Sequence, residues 1–145
     1  MKKYLLIPTL MFACCLHSFS QTGEGFRVDS LRVDKITKTL PLLKGTNRVD
    51  SVLLLCVYYD YAYPRIGRFT FSEDTVRHYA KQAFAEATNL GYQRGIALSL
   101  LNLKADSEKE KNINEAIRIG QQINDDKVLG LGYYNLAVLT AVSRI

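Results

Sequence analysis

Apolar residues recur along most of this chain at alternating three- and four-residue steps, the period of helices that each bury one face. Leu31, Val33, Ile36 and Leu40 predict a first helix over about 29–40, with Asp29 or Ser30 to cap its free N–H groups and Pro41 to end it. A second runs from Thr46 or Asn47 to about Tyr63, where Pro64 drives its predecessor out of helical geometry. The β-branched and aromatic residues of this segment (Val49, Val52, Val57, Tyr58, Tyr59, Tyr61) would also suit a strand. About seventeen residues without a turn signal exceed strand length, so it reads as a helix. Being apolar almost all round, it should be sandwiched between neighbours.

Ser72 can cap a third helix that ends at Leu90-Gly91, with Glu73 and Asp74 at the positive end of its dipole. Val76, Tyr79, Ala80, Ala83, Phe84, Ala87 and Leu90 form its stripe, and the alanines allow another helix to approach closely. A fourth helix over about 93–104 carries Ile96, Ala97, Leu100 and Leu101 on one side. A fifth over 112–123 carries Ile113, Ala116, Ile117, Gly120 and Ile123. Asn124-Asp125-Asp126 then turns the chain and caps a sixth helix, from about Lys127 to the end through Leu129, Tyr133, Leu136, Ala137 and Thr140. The expected class is all-α, in a domain spanning 29–145.

The first twenty residues read as an address. Lys2 and Lys3 precede an apolar core from Tyr4 to about Leu16, and Ser18 and Ser20 supply the small residues of a cleavage site, so 1–20 is expected to be a signal peptide and 21–28 a flexible leader. Met11-Phe12-Ala13-Cys14 loosely matches a lipobox, which leaves attachment through Cys14 as the alternative to a periplasmic or envelope protein cleaved before Gln21. Removing 1–20 leaves 17 basic and 14 acidic residues, a net +3 rather than +5, so part of the basic character is targeting sequence. It also leaves Cys56 as the single thiol, set among apolar neighbours where cysteine behaves as a small buried hydrophobe.

With 145 residues, 48% of them apolar and 23% charged, the chain is neither a disordered polyelectrolyte nor a multi-domain enzyme. No apolar run approaches the roughly 20 residues of a membrane-spanning helix, so no stable span is expected after signal cleavage. Catalytic chemistry is short of parts: one histidine (His78) and one cysteine remain after residue 20, and H-E-x-x-H, C-x-x-C, G-x-G-x-x-G and Walker patterns are missing. His78 reads as the surface partner of Asp74, four residues before it. No catalytic residue, no metal site and no cofactor are expected, and the protein is read as not an enzyme. Arg27, Arg32, Lys35, Lys38, Lys44 and Arg48 are interrupted by Asp29 and Asp34 and read as a solvated face rather than a nucleic-acid site. The segment 61–71 is basic and aromatic, the composition of binding hot spots, and makes Tyr63, Arg65, Arg68 and Phe69 candidate loop contacts, unless they pack on their own helices.

The helices also repeat. At an offset of 33, Ile96 falls on Leu129, Ala97 on Gly130, and Asn102-Leu103 on Asn135-Leu136; the third and fifth helices match at an offset of 40, Val76 on Ala116 and Ala80 on Gly120. This pattern resembles tetratricopeptide repeats, in particular those of the exported N-terminal regions of bacterial sensor histidine kinases. The lead-in Leu40 to Asp50, the run Ala85 to Ala97, Asn114-Glu115-Ala116-Ile117, and Leu55-Cys56 with Tyr59 carry the likeness over about 40–145. Two departures stand out: Asp106 to Lys111 replaces the usual aromatic residues and glycine turn, so that order there should be low, and Thr140 takes the place of the last aromatic.

The resemblance implies a right-handed helical-repeat solenoid of about 2.5 repeats whose first helices line a groove for a protein or peptide partner. It makes Leu98, Leu101, Asn102, Leu131, Tyr134, Asn135 and Val138 the groove candidates, with the Asn102 and Asn135 amides able to read an extended backbone. The sixth helix is a first helix without its partner, which predicts self-association through its uncapped face. The functional expectation is a non-catalytic exported scaffold of the cell envelope. The alternative is a truncated sensor input region of a tetratricopeptide-containing histidine kinase or related transcriptional regulator.

Overall fold

The computed structural model describes residues 31–66, 73–103 and 108–142. The chain divides into two compact units, 1–35 and 36–145. Of the first, only 31–35 are described, and they are helical; the expected signal peptide, leader and first cap lie outside the described residues. Helix α1 covers 31–39 and is followed by a 3-10 turn, Leu40–Leu42. Then come α2 (Gly45–Ile66), α3 (Glu73–Leu90), α4 (Gln93–Asn102), α5 (Lys109–Ile123) and α6 (Asp126–Val142). The protein is all-α, and no strand occurs among the described residues.

Two boundaries differ from expectation. Helix α2 passes the position of Pro64 and ends at Ile66, because a proline so near a C-terminus removes only one of the last intrahelical bonds. Helix α5 starts at Lys109 rather than 112. Glu110 lies in its first turn, and the Lys111–Glu108 pair at 3.6 Å ties that turn to the preceding residue, so part of the polar run expected to be poorly ordered is helical.

Helices α2 to α6 each pack on their neighbours in sequence, and α4 also touches both α2 and α6. Helices α3 and α5 do not meet among the described residues. Therefore α2, α4 and α6 form one row, with α3 and α5 behind it. The core follows this pairing: Cys56, Val76 and Ala80 bury together between α2 and α3, while Ala97, Leu100, Ala116, Ile119 and Val128 do so between α4, α5 and α6. Leu103 packs against both groups.

The connections repeat as closely as the helices. Helix α3 ends with Gly91 at φ +65° and α5 with Asn124 at φ 53°, both left-handed. Tyr92 N–H donates back to the Ala87 carbonyl at 2.9 Å, and Asp125 N–H to the Gly120 carbonyl at 3.0 Å. Ile96 N–H then donates to Tyr92 and Leu129 N–H to Asp125, both at 3.0 Å. These pairs all lie 33 residues apart. The same offset places buried Ala80, Ala83 and Ala87 on buried Ile113, Ala116 and Gly120, so α3 and α5 register at 33 and not at the expected 40.

Two polar clusters lock the helices on their outer edges. Arg48 Nε contacts both Glu86 carboxylate oxygens at 3.1 Å and its Nη1 donates to the Leu40 carbonyl at 2.7 Å, joining the 3-10 turn, α2 and α3. The Tyr92 hydroxyl donates to Asp50 at 3.0 Å, and burial followed by that carboxylate raises the hydroxyl above its ordinary pKa. Arg94 Nε lies 2.8 Å from Asp125, whose other oxygen accepts the Val128 N–H at 3.0 Å and so caps α6, as the Asn124-Asp125-Asp126 run predicts.

The α6 face differs from the sequence expectation. Val128 and Gly132 are its buried positions, whereas Tyr133, Ala137 and Thr140 are exposed. A helix that is apolar all round carries no stripe to fix its rotation, and the fits of Gly132 against Ile117 and of Val128 and Leu129 against Gly120 fix it instead. Helix α2 is likewise not sandwiched on every side: Leu54 and Val57 are exposed, although Val49, Val52, Leu55 and Cys56 are sealed.

Candidate functional site: an apolar trough across α2, α4 and α6

The row of α2, α4 and α6 frames a cavity of about 630 Å³. Val57 and Asp60 come from α2, Leu98, Leu101 and Asn102 from α4, and Leu131, Tyr134, Asn135 and Val138 from α6. All seven groove candidates expected from the repeat pattern therefore line one space. The 33-residue offset relates Leu98 to Leu131, Leu101 to Tyr134 and Asn102 to Asn135, so the two helices bring corresponding positions to the same space. Leu100, Leu103, Lys109 and Ile113 also line the cavity. Sequence reasoning did not place Val57, Asp60, Leu100, Leu103, Lys109 or Ile113 at the groove. The α2 pair does not follow from the 33-residue offset, which would place Arg65 and Arg68 under Leu98 and Leu101, and Lys109 arrives because α5 begins three residues sooner than its pattern suggests.

The trough is open and mostly apolar. Val57 is 53% exposed and Tyr134 67%, values that are unusual for large hydrophobic side chains not covered by a partner. Its two asparagines are not equivalent. Asn102 Nδ2 donates to the Leu98 carbonyl of its own helix at 2.8 Å, which uses one of its two N–H donors and leaves the other and Oδ1. Among the described residues Asn135 has no such bond, so its amide retains both a donor and an acceptor.

The other candidates fall elsewhere. Arg68 and Phe69 lie outside the described residues, as do the side chains of Tyr63 and Arg65. Cys56 is fully buried, its thiol donates to the Val76 carbonyl at 3.8 Å, and burial pushes its pKa up to about 12, which makes it an inert core group. His78 does not take Asp74 as its partner: Asp74 pairs with Arg77 at 3.7 Å, and His78 lies edge-on to Tyr79. Among the described residues no cluster of His, Cys, Asp and Glu is placed to hold a metal ion. Among the same residues no helix is long and apolar enough to cross a membrane.

No protein-family model, curated protein or solved structure matches the chain.

Proposed function

We propose that this protein is an exported, non-catalytic scaffold of tetratricopeptide type, about 2.5 repeats long, that binds a protein or peptide partner in the cell envelope. In this reading α2–α3 and α4–α5 are two helix pairs of a right-handed solenoid and α6 is the first helix of a third. The observation that carries it is the convergence of Leu98, Leu101, Asn102, Leu131, Tyr134, Asn135 and Val138, drawn from two successive repeats, on one open trough. A trough of this kind leaves apolar area in water that a partner would remove, which favours binding at about 25 cal/mol per Å² before ordering costs.

A photo-crosslinking residue at position 134 tests the proposal in the producing cell. The expected result is a discrete adduct that is absent when the same residue stands at Arg118, whose exposed side chain belongs to the outer helix α5, and that is lost with Leu98→Asp. Equal labelling from positions 134 and 118 would count against it.

A second reading, the input region of a longer sensor kinase or regulator, is favoured by one feature. Ala97 and Leu100 of α4 are buried among Ala116, Ile119 and Val128, yet their counterparts on α6, Gly130 and Tyr133, are exposed. That face would seat one more helix.

A further inference from the structure

The three helices that frame the trough are packed unevenly along their length. Their last buried positions are Cys56 on α2, Leu100 on α4 and Gly132 on α6, and every later described side chain of these helices is half-buried or exposed. Most of the lining that they give to the trough, including Val57, Asp60, Leu101, Asn102, Tyr134 and Val138, comes from these later residues. The opposite ends are held by one polar ladder. Asp50 lies in the second turn of α2, Tyr92 and Arg94 flank the start of α4, and Asp125 directly precedes α6. The Tyr92 hydroxyl donates to Asp50 at 3.0 Å, and its contact with the Arg94 side chain holds that guanidinium above its ordinary pKa. Arg94 Nε lies 2.8 Å from Asp125, which accepts the Val128 N–H at 3.0 Å. Close packing adds to the hold at the same ends, where Gly95 admits Val49 and Gly120 admits Val128. About 20 Å of helix separates Asp125 from Val138, so a tilt of about 10° at the ladder would carry Val138 about 3 Å across the trough.

We infer that Tyr92 and Arg94 are positioning residues, which hold the N-terminal ends of α2, α4 and α6 in one ladder and thereby set how widely the trough opens further along the same helices. Ion pairs this exposed add little to stability, so the loss of one frees the angle between helices without melting them. Walls whose spacing is fixed before a ligand arrives lower the ordering cost of binding. That benefit rests on the reading of the trough as the binding face; the spacing itself does not.

The test measures the trough with no ligand present. p-Acetylphenylalanine at positions 57 and 138 of the purified full chain takes a ketone-reactive nitroxide, which spares the native cysteines, and double electron–electron resonance reads the distance from α2 to α6. A second pair at positions 54 and 81 reports α2 against α3, which the ladder does not join. Tyr92→Phe and Arg94→Met should each broaden the 57–138 distribution and move its mean by about 2 Å or more, with helical circular dichroism and the 54–81 distribution unchanged. In the producing cell, Arg94→Met should lower the yield of the position-134 crosslink about threefold or more, whereas Arg118→Met, which removes a surface ion pair of α5, should leave it unaltered. Identical 57–138 distributions in the parent and both variants would overturn the positioning role, as would equal broadening at 54–81, the mark of a general loosening. A shifted 57–138 distance with an undiminished crosslink would leave the positioning role standing and overturn the trough as the binding face.

Discussion

Helix α4 approaches α2 and α3 closely at Gly95, where the missing side chain is what lets Val49 and Ala87 come near. A Cβ at that position would stand 2.6 Å from Tyr92 Cδ1, 2.9 Å from Val49 Cγ1 and 3.0 Å from Ala87 Cβ. These neighbours cannot yield locally: Val49 and Ala87 are fully buried, and Ala87 Cβ moves only with the backbone of α3. Overpacking of this kind costs about 2–3 kcal/mol, against which alanine returns about 1 kcal/mol of helix propensity. Gly95→Ala should therefore destabilise by about 1–2 kcal/mol. Gly130, in the interior of α6, is the internal control, because a Cβ there meets nothing within 4 Å, and Gly130→Ala should stabilise by about 0.5–1 kcal/mol. Urea titration followed by helical circular dichroism reads both: for a domain of this size, with a slope of about 1–3 kcal/mol per molar, the midpoints should move about 0.5–1 M down and a few tenths of a molar up. If Gly95→Ala stabilises as Gly130→Ala does, α4 does not cross α2 and α3 at residue 95 and the helix stacking described here is wrong.

Asp125→Ala should cost about 1–2 kcal/mol, since it removes both the cap of α6 and the Arg94 ion pair; a double-mutant cycle with Arg94→Ala should assign about 0.5 kcal/mol to the pair. The Cys56 thiol sits at about 12 when folded against an ordinary 9.0, so the fold favours the neutral form. Its contribution is complete below pH 9 and should fall by about 1.4 kcal/mol per pH unit from pH 9 toward 12, a slope that Cys56→Ala flattens in alkaline unfolding curves. Sedimentation velocity should show concentration-dependent association that Ala137→Arg on the exposed α6 face abolishes; a single monomeric species at every concentration would remove that face as a docking surface.

Much of this architecture is legible in the sequence because small and large apolar residues alternate at helical spacing and because Gly91 and Asn124-Asp125 punctuate the chain 33 residues apart. The α3 and α5 stripes, with Ala80, Ala83 and Ala87 against Ile113, Ala116 and Gly120, leave little choice of buried face. Register between those helices is harder to read, since alanine-rich stripes match at several offsets and the left-handed turn residues, not the stripe, set it at 33. Rotation of α6 is not encoded by periodicity: Leu129, Leu131, Tyr133, Leu136 and Val138 surround the helix, and the close fits of Gly132 against Ile117 and of Val128 and Leu129 against Gly120 fix it. Six of the trough residues are paired by the repeat offset, Leu98 with Leu131, Leu101 with Tyr134 and Asn102 with Asn135. The commitment of Asn102 to Leu98 is a local side-chain bond that no pattern in the sequence reveals.

The central claim is that ligands enter between α2, α4 and α6. Amide chemical-shift mapping of the isotopically labelled protein, titrated with the partner captured by crosslinking at position 134, tests it most directly. The account predicts saturable shifts at Val57, Leu98, Leu101, Leu131, Tyr134 and Val138, with Arg118 and Gln122 on α5 unmoved. Shifts concentrated on the outer helices α3 and α5, or at Tyr133 and Ala137 alone, would contradict it.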